Sequence, residues 1–121
     1  MIKHSAISLF FLLHISFAKA QKELTSDDLF KNARYAAFED KNYGKAKMYA
    51  RQALVISPAY TDIEIFLGRI FTWDKQYDSA RYHFAKVLSA TPLNEDASVA
   101  YADLEYWNDN YENALTICKK F

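Results

Sequence analysis

The sequence predicts an all-α fold: a right-handed superhelical stack of antiparallel helix pairs, about two and a half repeats long. Two observations carry this. First, residues recur at a 34-residue period: Tyr43, Tyr77 and Tyr111; Ala46, Ala80 and Ala114; Trp73 and Trp107; Pro58 and Pro92. That period with this residue order marks an array of helix-turn-helix repeats. Second, the 121 residues include only two glycines and two prolines. This suits helices joined by short turns and disfavours a loop-rich β fold. The length allows one domain, and 51% hydrophobic with 25% charged residues is ordinary for a globular chain. The formal net charge is zero, which gives nucleic acid or anionic lipid no electrostatic footprint to bind.

Residues 1–20 read as a secretory signal peptide. Lys3 and His4 open it, Leu9-Phe10-Phe11-Leu12-Leu13 forms its apolar centre, and Ala18-Lys19-Ala20 supplies an A-x-A cleavage site. The apolar run is shorter than the roughly 20 residues that span a bilayer. Cleavage after Ala20 leaves Gln21 at the mature N-terminus, with no cysteine there to carry a lipid. Losing Lys3 and Lys19 leaves 13 basic against 15 acidic residues, a net charge of −2. Residues 21–26 form a linker.

The repeats then occupy 27–60, 61–94 and an incomplete 95–121. Each begins with a helix, over about 27–40, 61–74 and 95–108. A second helix follows, over about 43–57, 77–90 and from 111 onward. Ser26-Asp27-Asp28, Thr61-Asp62 and Asn94-Glu95-Asp96 supply caps and negative charge for the N-termini of the first helices. Tyr43, Tyr77 and Tyr111 open the second helices. Ala46, Ala80 and Ala114 are small, so that neighbouring helices approach closely, and Gly68 and Ala102 serve the first helices in the same way. Leu54 and Leu88 face the following repeat near the ends of the second helices. Pro58 and Pro92 stop those helices, since proline lacks a donor and restricts the residue before it. Leu115, Ile117 and Phe121 belong to a last helix that is uncovered or incomplete, and a repeat stack needs a polar face at each end. The array is therefore expected to continue beyond Phe121 or to dock on a partner.

This pattern resembles the tetratricopeptide repeat (TPR) family over nearly all of 27–121, with Leu67, Gly68, Phe71, Tyr77, Ala80, Phe84 and Pro92 in the family's order. It departs from the family where Arg34 replaces a small residue and where Asn42 and Gln76 replace the commoner turn glycine or aspartate. Trp73-Asp74-Lys75-Gln76-Tyr77 and Trp107-Asn108-Asp109-Asn110-Tyr111 share a W-x-x-x-Y form at equivalent positions. With Leu67-Gly68-Arg69 and Asp103-Leu104-Glu105-Tyr106 before them, they look like the N-terminal repeat region of YaiO-type outer-membrane β-barrel proteins. That resemblance implies a signal peptide, then repeats on the periplasmic side of the outer membrane, then a C-terminal β-barrel. No stretch of about ten alternating apolar and polar residues, as a barrel strand requires, occurs in this chain.

No catalytic constellation, metal-ligand set or cofactor motif stands out. His83 is the one histidine outside the signal segment and is expected to be surface or partly packed. The acidic residues read as helix-end and surface charges rather than as acid/base catalysts. The single cysteine, Cys118, forms no intrachain disulfide and is expected to be a small buried residue.

In tetratricopeptide arrays the first helices line a concave groove. By that resemblance the candidate binding face comprises Asp28, Lys31, Tyr35 and Phe38, then Ile65, Arg69, Thr72 and Trp73, then Val99, Asp103, Tyr106 and Trp107. Aromatic rings beside Arg and Asp suit an extended peptide or sugar rings, while the packing alternative places Trp73 and Trp107 between adjacent helices. The family's basic clamp for a terminal carboxylate is not reproduced, because Tyr35, Phe66, Asp96 and Ala100 occupy its places beside Lys31. The expectation is a non-enzymatic interaction module, the periplasmic part of an outer-membrane barrel protein, binding a protein or glycan partner in the envelope. Polysaccharide export is its narrower form. The alternatives are a free periplasmic scaffold without a barrel and an accessory domain of a secreted enzyme.

Overall fold

The computed structural model describes residues 22–120; the proposed signal peptide and Phe121 lie outside the described residues. Among the described residues the fold is all-α, with six helices and no strand: α1 (Ser26–Phe38), α2 (Tyr43–Ile56), α3 (Thr61–Trp73), α4 (Tyr77–Ala90), α5 (Glu95–Trp107) and α6 (Tyr111–Cys118). The boundaries agree with those expected to within two residues. None of these helices is long and apolar enough to cross a membrane.

The local chemistry explains most of the ends. Thr25, one residue before the expected cap, closes a capping box on α1. Its hydroxyl accepts from the Asp28 amide at 3.1 Å, and the Asp28 carboxylate accepts from the Thr25 amide at 3.0 Å. Asn94 caps α5, its side-chain oxygen accepting from the Ala97 amide at 2.9 Å, and Asn42 caps α2 through the Lys45 amide. At α3 the expected side-chain cap does not form: the cap position is Tyr60, and Thr61 is already helical. Ser57 and Thr91, each before a proline, end α2 and α4 with extended φ of −129° and −135°.

The turns inside the helix pairs repeat the period in their backbone. Lys41, Lys75 and Asp109 have φ of 51°, 58° and 60°. Each holds the left-handed conformation that glycine usually supplies after a helix. The left-handed residue therefore stands one position before Asn42 and Gln76, where the sequence had suggested the missing glycine. The strain falls on two lysines and an aspartate.

Packing runs along the chain: α1 on α2, α3 on α4 and α5 on α6, with further contacts of α2 with α3, α4 with α5, and α3 with α5. Ser57 donates to Ser26 at 2.8 Å, so the end of α2 lies against the start of α1. Ala33, Ala36 and Ala37 of α1 and Ala46, Ala50 and Ala53 of α2 are all buried in the core, and such small side chains suit close helix packing. The central helix α3 is buried over most of its circumference, as expected for a helix covered on several sides. Its Ile63, Leu67 and Ile70 and the Phe84 of α4 form the middle of the core. A Cβ at Gly68 would lie 2.5 Å from Phe84 Cε1, so this glycine is what admits the ring.

Three clusters of charge are buried with the core, against the expectation that acidic residues stay at helix ends and surfaces. Glu105 is 0% exposed and takes Arg81 and Asn110 as partners. Glu64 is 5% exposed, with His83 Nδ1 at 2.6 Å and Lys86 Nζ at 3.3 Å. Lys47 is buried and bonded to Asp74, with Gln76 Oε1 at 3.4 Å. Lys47 and Arg81 occupy one register position of the period, and both reach from the second helix of a pair to residues of the next pair. Leu115 holds that position in α6 and is exposed. Cys118 is also exposed rather than buried, because it ends the outermost helix, which packs chiefly on α5.

Candidate functional site

A groove of about 420 Å³ opens between α1 and α3. The α1 side is the stripe Phe30, Arg34 and Phe38, four residues apart and so on one helix face. The α3 side carries Asp62, Ile65, Phe66, Arg69 and Trp73, and Asp96 of α5 closes one end. The rings hold one another edge to face: Phe30 and Phe66 at 5.4 Å, Phe38 and Phe66 at 6.0 Å, Phe66 and Trp73 at 6.4 Å between centroids. Phe38 also lies 5.6 Å from Trp73.

Charge in the groove is balanced. The Arg34 guanidinium sits over the Phe30 ring at 4.6 Å, and Arg34 is exposed. Arg69 is drawn toward Asp103 of α5 at 3.7 Å. Two planar guanidinium groups and two carboxylates thus border an aromatic floor. That set can hydrogen-bond hydroxyls, amides or carboxylates and stack against flat apolar groups.

Of the residues expected on the binding face, Phe38, Ile65, Arg69 and Trp73 line this groove. Lys31 and Tyr35 line a separate shallow depression on α1, which Phe38 also borders. Asp28 is occupied by the α1 cap: the Thr25 amide, then its hydroxyl, hold the carboxyl below the usual carboxylate range. Thr72 is buried and donates to the Gly68 carbonyl at 3.1 Å, a common fate of a threonine hydroxyl inside a helix. Val99 is exposed on α5, and Asp103 serves Arg69. Tyr106 packs on Trp107 at 5.7 Å and on Tyr111 at 5.4 Å.

The two tryptophans differ. Trp73 is 38% exposed and wedged among Phe38, Tyr43 and Phe66, so it packs as well as lines a surface. Trp107 is 64% exposed and packs its ring edge to face with Tyr106. It borders a second cleft with Tyr43, Thr72, Trp73, Lys75 and Tyr77.

Sequence reasoning omitted Phe30, Arg34, Asp62, Phe66 and Asp96 from the site. The i, i+4, i+8 spacing of Phe30, Arg34 and Phe38 was the available signal for the α1 side. His83 is partly packed, as expected, and stacks on Phe71 at 5.3 Å with the rings nearly parallel. No group of three or more His, Cys, Asp or Glu side chains among the described residues is placed to hold a metal ion. No protein-family model and no curated protein sequence matches the chain.

Proposed function

We propose that this chain is a non-enzymatic interaction module of the bacterial cell envelope, a tetratricopeptide-type stack of antiparallel helix pairs with right-handed superhelical sense. It acts on the periplasmic side of the outer membrane as the repeat region of a barrel protein, where it holds a protein or glycan partner. Polymer export is the narrower form of this reading.

The observation that carries the binding role is the groove between α1 and α3, where four aromatic rings, two arginines and two aspartates converge on one open surface. Flat rings beside planar hydrogen-bonding groups recognise a ligand without transforming it. The three turns with the same left-handed residue, at Lys41, Lys75 and Asp109, support the reading of the fold as a repeated unit. The envelope location rests on the signal-like segment and on the paired W-x-x-x-Y runs.

The test is retention of a partner from periplasm and outer membrane on the immobilised protein, compared with an Arg34→Ala/Arg69→Ala variant. A partner held by the wild type and released by the variant supports the groove. No retained partner, together with normal envelope polysaccharide in a deletion strain, refutes the reading. Translating the gene past Phe121 separates the barrel protein from a free scaffold, since barrel strands of about ten alternating residues are readable in sequence.

A further inference from the structure

We propose that the cleft at the turn edge, which shares only Trp73 with the lining of the α1–α3 groove, is a binding site for one acidic sugar ring, a pyranose that carries a carboxylate. Tyr43, Trp73, Tyr77 and Trp107 wall the cleft, and these rings come from three successive turns of the repeat. Its volume is about 280 Å³, just under the roughly 300–1,000 Å³ of sites for drug-sized ligands. It has room for one ring at a time, free or as a unit of an oligomer.

The polar groups of the cleft identify the ligand. Lys75 is its one cation, and among the described residues no carboxylate lies within ion-pair distance of it. The acidic residues nearest in sequence are engaged elsewhere: Asp74 holds Lys47, and Asp78 holds Arg81. The backbone of Lys75 is left-handed, with φ of 58°, where glycine would avoid the strain. An unneutralised lysine beside exposed rings is the arrangement a carboxylate ligand would complete.

A sugar fits better than a peptide. The Tyr43 and Tyr77 hydroxyls have no hydrogen-bond partner among the described residues, so both can serve ring hydroxyls. The Thr72 hydroxyl is already bonded to the Gly68 carbonyl. The cleft walls are helix ends: Tyr43 and Tyr77 open α2 and α4, and Trp73 and Trp107 close α3 and α5. Among the described residues there is no strand edge on which an extended peptide could add as a further strand. The exposed indole of Trp107 presents a flat apolar face to the C–H side of a sugar ring.

The test is titration of the purified protein, followed by tryptophan fluorescence, with a galacturonic acid oligomer. A neutral glucose oligomer and N-acetyl-phenylalanine are the comparison ligands. The galacturonate oligomer is expected to bind about tenfold or more tightly than either, the scale of one charge-assisted contact. Lys75→Gln is expected to remove that preference, and Trp107→Ala to abolish binding. Lys75→Gly is expected to weaken binding while raising the melting temperature, because it removes the strain together with the charge. Arg34→Ala/Arg69→Ala, which removes the arginines of the α1–α3 groove and keeps the shared Trp73, is expected to leave galacturonate binding unchanged. Equal binding of neutral and acidic oligomers overturns the proposal, as does tighter binding of N-acetyl-phenylalanine. No binding by the folded wild type overturns it as well.

Discussion

Arg81 of α4 and Glu105 of α5 are joined by two contacts of 2.9 Å, from Nε and Nη2 to the same carboxylate oxygen, and Glu105 has no exposure to solvent. The hydrogen bond to Glu105 is the largest reason that the Arg81 guanidinium is held even more firmly protonated than usual. Asn110 Nδ2 donates to the other oxygen at 2.7 Å, so the buried carboxylate is satisfied on both sides. Arg81→Met leaves this charge with Asn110 alone and is expected to cost about 3 kcal/mol, the lower end of the range for breaking a buried pair. Arg81→Met with Glu105→Leu is expected to recover most of the loss. Urea unfolding of the wild type and both variants measures both values.

Gly68 and Phe84 make the second prediction. Gly68→Ala would ordinarily favour a helix by about 1 kcal/mol. Here the new methyl meets a fully buried ring, and overpacking of this kind costs about 1–3 kcal/mol. A net loss of stability is expected, relieved in the Gly68→Ala/Phe84→Leu double variant. Ala80, with no exposure, answers to the same physics: Ala80→Leu is expected to cost about 1–3 kcal/mol. An unchanged melting temperature for Ala80→Leu would show that the helix register is wrong.

The tryptophans are expected to separate packing from binding. Trp73→Ala removes a ring held by three aromatic neighbours. It is expected to cost about 2 kcal/mol, less than the 3–5 kcal/mol for a fully buried aromatic. Trp107→Ala removes a mostly exposed ring and is expected to change stability by no more than about 0.5 kcal/mol. Calorimetry on both variants, beside ligand titration, distinguishes the roles.

The limits of the pH range test two surface bonds. Asp28 titrates below its ordinary value because the Thr25 amide and hydroxyl bond its charged form. With the folded value depressed, its contribution is present above the unfolded value of 3.8 and is lost as pH falls through the folded one. Tyr60 donates to Asp27 at 2.7 Å, which raises its value above 10.0. Its contribution is present below the unfolded value and is lost as pH rises through the folded one. Asp28→Asn is therefore expected to flatten the acid limb of a melting-temperature profile, and Tyr60→Phe the alkaline limb. Parallel profiles for wild type and variants would contradict the assignment.

Helix existence and order were readable from the chain because they rest on local features that recur every 34 residues. The tyrosines that open α2, α4 and α6, the prolines after α2 and α4, and the Asn94 cap each act through neighbours in sequence. Tertiary structure decided which charges enter the core. Lys47, Glu64 and Glu105 look like ordinary helix-surface residues in the chain, and their ion-pair partners lie 19 to 27 positions away. Only the packing of one helix pair on the next covers them. The groove shows the same division. The stripe Phe30, Arg34 and Phe38 is a local pattern, but its meeting with Phe66 and Trp73 depends on how α1 and α3 approach. The period of a helix states which residues share a face, and the geometry of packing states which faces meet and which stay open to a ligand.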